Sequence, residues 1–93
     1  MRKSDKKLMH YFLREKPVMM LIKLRNSNKP RYASLLAKEV DCTYSHTVRI
    51  LQILEENELI EFDKKGRIKI INLTKRGEKI SIIMEDLVRA LKK

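Results

Sequence analysis

The sequence predicts a small α+β domain, mainly helical, with one β-hairpin set between helices towards its C-terminal end. Three observations predict it. Apolar residues recur at three- and four-residue spacing over most of the chain, the signature of amphipathic helices. Between about residues 60 and 71 the pattern changes to a two-residue alternation, which marks paired strands. A chain of 93 residues with 43% hydrophobic content supplies one packed core and too little length for a second. With 10 Ile, 12 Leu and 5 Met, the chain also has enough apolar surface to fold despite 37% charged residues.

The elements follow in order. Ser4 and Asp5 precede Leu8, Met9, Phe12 and Leu13, a stripe that predicts a first helix over about 4–14. Pro17, which needs no amide partner at a first helical position, opens a second stretch carrying Val18, Leu21, Ile22 and Leu24. That stretch ends in the loop Asn26-Ser27-Asn28-Lys29-Pro30. Leu35, Leu36 and Val40 predict a short helix, interrupted by Asp41 and Cys42, and Thr43 suits the N-cap of the next. In that next helix Thr47, Ile50, Leu51 and Leu54 share one face, with Ser45, His46, Arg49, Gln52 and Glu56 largely on the other. One side packs and the other is free.

Ile60 and Phe62 then alternate with Glu61 and Asp63, and Ile68 and Ile70 alternate with Arg67, Lys69 and Ile71. These read as two strands joined by Asp63-Lys64-Lys65-Gly66, with Gly66 free to take positive φ in a cationic loop. Thr74 suits the cap of a last helix over about 75–92, whose stripe is Ile80, Ile83, Met84, Leu87, Val88 and Leu91.

Charge narrows the function. Lys and Arg number 22 against 12 Asp and Glu, a formal charge of +10. The two ends are basic and the middle acidic, with ten basic and two acidic residues over 1–31, two and six over 32–62, and ten and four over 63–93. Clustering of this kind predicts a polyanion partner rather than an evenly solvated surface. Catalysis is not expected: one Cys and two His form no zinc set, and Gly66 and Gly77 alone make no phosphate-cradling loop. No cofactor, metal or small-molecule ligand is expected either. The longest aliphatic run, Val18 to Ile22, is far short of the roughly 20 residues that span a bilayer, and no secretory leader is evident, so an intracellular, cytoplasmic protein is expected.

Helix, short helix, turn, helix and a hairpin with a basic tip together form the layout of a winged helix-turn-helix. The stretch LLAKEVDCTYSHTVRILQILEENELI at 35–60 resembles the helix-turn-helix of MarR-like and ArsR-like regulators, and INLTKRGEKI at 71–80 resembles their post-wing segment. Small archaeal and archaeal-virus regulators are similar in size and composition, and the heavy use of Lys, Ile and Glu with one Gln is similar to that of hyperthermophiles. Three residues depart from the family pattern. Asp41 and Glu58 stand where Gly is usual, and Tyr32 where a capping Thr or Ser is common, leaving Ser34 as the alternative cap. Asp41 is the milder departure, since Asp tolerates left-handed backbone; Glu58 is strained if its φ is positive.

The resemblance implies a recognition helix with Thr43, Tyr44, Ser45, His46, Val48, Arg49 and Gln52 on the DNA side. Arg donates twice to guanine and Gln pairs twice with adenine, so Arg49 and Gln52 have the strongest claim on bases. Tyr44 and Ser45 suit phosphate, and Val48 admits two readings, a thymine methyl contact or core packing. On the hairpin the resemblance implicates Lys64, Lys65 and Arg67 in backbone contacts that set affinity rather than sequence preference. Cys42 falls in a slot where the family buries an aliphatic side chain; an intersubunit disulfide is the other reading.

A domain of this size gains much from a second copy covering its apolar face. The stripe Ile80, Ile83, Met84, Leu87, Val88 and Leu91, joined by Leu8 and Phe12, is therefore expected to form a homodimer interface. The function expected is sequence-specific binding of double-stranded DNA, as a transcriptional regulator on a pseudo-palindromic site. Two alternatives stand beside it, a non-specific architectural DNA-binding protein and a winged-helix module for protein interaction.

Overall fold

The computed structural model describes residues 2–3, 14–27 and 29–92. The expected first helix, with Leu8 and Phe12, falls almost wholly outside them. The described elements are α1 (Glu15–Arg25), α2 (Ala33–Glu39), α3 (Tyr44–Glu56), β1 (Ile60–Lys65), β2 (Ile68–Leu73) and α4 (Lys75–Leu91). Their core gathers Met20, Leu21 and Leu24 of α1, Leu36 of α2, Ile50, Leu51 and Leu54 of α3, and Leu59, Ile60 and Ile71 around the hairpin. Leu21 and Leu24, Leu36, and Ile50, Leu51 and Leu54 lie where the apolar spacing marked a buried face, and α4 adds the partly buried Ile80 at the edge of the core.

α1 starts two residues before Pro17, which sits third in the helix rather than first. The physical licence is the same, because no amide in the first turn has an intrahelical acceptor to lose. Tyr32 occupies the N-cap position of α2 with no side-chain cap bond, and Ser34 lies inside the helix, so the alternative cap is not used. Thr43 and Thr74 do cap. Thr43 Oγ1 accepts from the His46 amide at 3.2 Å and Thr74 Oγ1 from the Gly77 amide at 3.0 Å.

α2 and α3 end in the same way, and each end explains one departure from the family pattern. The Cys42 amide donates to the Ala37 carbonyl (2.9 Å) and the Asp41 amide to Lys38 (3.3 Å); the Leu59 amide donates to Leu54 (2.9 Å) and the Glu58 amide to Glu55 (2.9 Å). These are Schellman closures, which require one left-handed residue just beyond the helix. Asp41 (φ +53°) and Glu58 (φ +60°) supply it. Both turns are therefore strained at a non-glycine residue.

The hairpin differs from expectation in two linked ways. Asp63, Lys64 and Lys65 continue β1, and the turn is the pair Gly66-Arg67, with Gly66 at φ +62° as primed hairpin turns demand. That short turn sets a register pairing Phe62 with Ile71, Lys64 with Lys69 and Lys65 with Ile68. Antiparallel partners share a face, so Ile71, not Ile68 and Ile70, joins Ile60 against the core. Ile68 is left 52% exposed.

α4 makes close approaches at two small residues. Gly77 lies against the backbone of Leu59, and the buried Ser81 hydroxyl donates to the Leu21 carbonyl at 3.0 Å. Farther along, Glu85 accepts from the Asn26 amide and pairs with Arg25 and Arg89 at 3.3 and 3.1 Å. The expected interface stripe divides accordingly. Ile80 packs against the chain's own core, Met84 and Val88 are half-buried, and Ile83, Leu87 and Leu91 are exposed.

Candidate nucleic-acid interface

α3 is built to show one flank. Thr47, Ile50, Leu51 and Leu54 bury it against the core, and the buried Thr47 hydroxyl is satisfied by the Thr43 carbonyl at 2.8 Å. The opposite flank, with Tyr44, Ser45, His46, Arg49 and Gln52, is exposed, as are the capping Thr43 and the hairpin cations Lys64, Lys65 and Arg67. Val48 is half-buried and lines a groove rather than joining the core cluster.

That groove, of about 610 Å³, runs between α3, the start of α2 and the inner side of the hairpin. Tyr32, Tyr44, Val48, Leu51, Phe62 and Ile68 give it an apolar lining. Gln52, Glu55, Lys64, Arg67 and Lys69 supply its polar groups, so Gln52 opens onto the groove, whereas Arg49 lies outside its lining. The arrangement presents a convex helix flank beside a cationic channel, which is the shape that a groove of duplex DNA and its adjoining backbone demand.

The hairpin separates residues that are neighbours in sequence. Lys64 lines the groove, while Lys65 stands on the other face of the ribbon, 3.8 Å from Asp63. Lys69, part of the basic cluster with Lys64, Lys65 and Arg67 in the sequence, and Tyr32 also line the groove. Lys69 sits opposite Lys64, its ammonium 5.4 Å from the centre of the Phe62 ring. Its placement follows from the register, which depends on the turn length. Tyr32, a cap candidate in the sequence, is 41% exposed.

A further cation has a different use from the one its charge implies. Lys16, in the basic N-terminal third, donates to the carbonyls of Val40 (2.6 Å) and Asp41 (2.9 Å) at the α2–α3 turn. Cys42, next in that turn, is a free thiol, half-buried and packed against the core. Among the described residues no group of three or more His, Cys, Asp or Glu is placed to hold a metal ion, and no helix is long and apolar enough to cross a membrane.

The chain has a winged helix-turn-helix fold, the fold of solved transcription regulators. Comparison with solved structures supports this. AF1382 from Archaeoglobus fulgidus superposes with a TM-score of 0.81 at 25% identity, over 86% of this chain and 91% of that one. A variant of MepR from Staphylococcus aureus bound to an oligodeoxyribonucleotide gives 0.76 at 22%, over 96% and 67%. BldR from Sulfolobus solfataricus, a transcriptional regulator, gives 0.72 at 23%, over 82% and 55%. In sequence, an uncharacterized protein of Archaeoglobus fulgidus is 32% identical over 57 residues, 61% of this chain and 60% of the relative's length. No family model matches.

Proposed function

We propose that this chain is a sequence-specific double-stranded DNA-binding regulator of transcription that acts as a homodimer on a pseudo-palindromic site. The observation that carries the reading is the exposed polar flank of α3 beside the cationic groove. In this reading α3 enters the major groove, Arg49 and Gln52 read base edges, and Tyr44, Ser45 and His46 meet the backbone. The hairpin follows the adjoining backbone with Lys64 and Arg67. The solved MepR variant with bound oligodeoxyribonucleotide supports the partner class by analogy.

The dimer rests on Ile83, Leu87 and Leu91, a row of exposed apolar side chains along α4, the last of them 74% exposed. Each lies four residues from the next, so they form one edge of the helix. In this reading a second copy covers that edge, and a pseudo-palindromic site requires the dimer to set its two α3 helices about one DNA turn, near 34 Å, apart.

The test is selection of bound duplexes from a random pool, followed by competition. A defined, roughly symmetric sequence that outcompetes bulk duplex by orders of magnitude supports the proposal. Equal competition by any duplex replaces it with the architectural reading, and no binding at low salt removes DNA altogether.

A further inference from the structure

We propose that Lys64 and Lys69 form one seat for a single backbone phosphate, on the strand of bound DNA that passes between α3 and the hairpin. The inference rests on the DNA-binding reading above and adds the pairing of two cations at one phosphate. Three observations carry it.

The first is the register. Lys64 and Lys69 are directly opposed cross-strand partners on the side of the ribbon that carries Phe62 and Ile71. Like charges at opposed positions destabilise a hairpin, and an anion bridging them turns that repulsion into attraction. The second is the surroundings. Both lysines line the groove, and among the described residues neither has a carboxylate partner. Lys65, by contrast, faces away and is paired with Asp63. The third is positioning. The Lys69 ammonium is held at the Phe62 ring by a cation–π contact, so part of the cost of ordering a long side chain is already met. Tyr44 and Val48 face the hairpin across the groove, giving the sugar edges an apolar wall next to the phosphate. Glu55 also lines the groove, from the later turns of α3, and repels an anion there, which favours the hairpin side.

The experiment measures binding to a selected duplex and to a random-sequence duplex over a range of salt concentrations. It compares wild type with Lys64→Gln, Lys69→Gln, their double variant and Lys65→Gln, each checked for folding by circular dichroism. Each phosphate contact adds about 0.9 to the slope of log affinity against log salt. The expected result is a small loss of slope in either single variant, because the remaining lysine still neutralises the shared phosphate, and a loss of about one in the double variant, on both duplexes alike. Lys65→Gln is expected to reduce the slope less than the Lys64→Gln, Lys69→Gln double variant does. A loss of about one in each single variant that adds to about two in the double variant, or a slope unchanged in the double variant, overturns the shared seat while leaving DNA binding standing. A wild type that binds neither duplex overturns both readings together.

Discussion

The α-carbon of Gly77 lies so close to the carbonyl of Leu59 that a side chain there has no room: an added Cβ falls 1.9 Å from the Leu59 oxygen and 2.8 Å from its carbon. The same Leu59 carbonyl accepts the Thr74 amide at 3.1 Å, and the Thr74 hydroxyl and Arg76 donate to the Glu58 and Asn57 carbonyls, so the start of α4 is held against the chain just beyond α3. No flexible side chain is available to yield. Gly77→Ala should destabilise the domain by at least about 3 kcal/mol in urea unfolding, since relief requires α4 to move off Leu59. A loss under about 1 kcal/mol would show that the approach is looser than the structure has it.

Glu58 occupies left-handed backbone at the close of α3, with its side chain exposed. Removing its Cβ relieves the steric cost while the carbonyl still accepts from Thr74 Oγ1 at 2.7 Å. Glu58→Gly should therefore stabilise by about 1 kcal/mol, where glycine in a helix interior does the reverse. A raised urea midpoint with an unchanged m-value is the expected signature.

Lys16 ties α1 to the turn between α2 and α3 through two carbonyls. Lys16→Met should cost about 1 to 2 kcal/mol of stability and loosen the placement of α3. Its effect on DNA affinity should leave the salt slope unaltered, because this ammonium is engaged by the protein. A slope lowered by about one would instead mark Lys16 as a phosphate contact.

Arg49→Ala should lower the preference for the selected duplex over random duplex by roughly 1 to 3 kcal/mol, with Gln52→Ala acting at a different base pair. Equal losses on both duplexes would assign Arg49 to the backbone instead.

Glu85 links α4 to the end of α1, and the Asn26 amide hydrogen bond holds its carboxyl below the ordinary 4.5, with Arg89 and Arg25 adding to the effect and partial burial opposing it. A carboxylate lowered in the folded state contributes stability that is complete above its unfolded pKa and is lost as pH falls through the folded value. The stability difference between wild type and Glu85→Gln should thus hold near neutrality and shrink below about pH 5. Parallel stability curves for the two proteins throughout that acid window would exclude the linkage.

Much of the architecture was legible because its signals are local. The spacing of Ile50, Leu51 and Leu54 assigned the buried face of α3, and with it the exposed flank carrying Arg49 and Gln52. Thr43 and Thr74 marked two helix starts, since a cap acts on amides within three residues. Asp41 and Glu58 were legible as left-handed positions through the family pattern, and Gly66 through its turn. The groove was less legible. Its cationic side depends on whether the turn is Gly66-Arg67 or a longer loop, and one residue of register moves every hairpin side chain to the other face.

The sequence by itself determined which segments become helix or strand, where most of them start, and that the surface is strongly cationic. Each follows from chain neighbours only a few residues apart. The tertiary structure alone decided which side chains meet. It brought Lys69 opposite Lys64, turned Lys65 towards Asp63, engaged Lys16 at the Val40 and Asp41 carbonyls, and set Gly77 on Leu59. The Lys16 and Gly77 contacts join residues distant in the chain and are fixed only when the core closes, whereas the hairpin pairs lie within five residues and depend on the register that the turn selects.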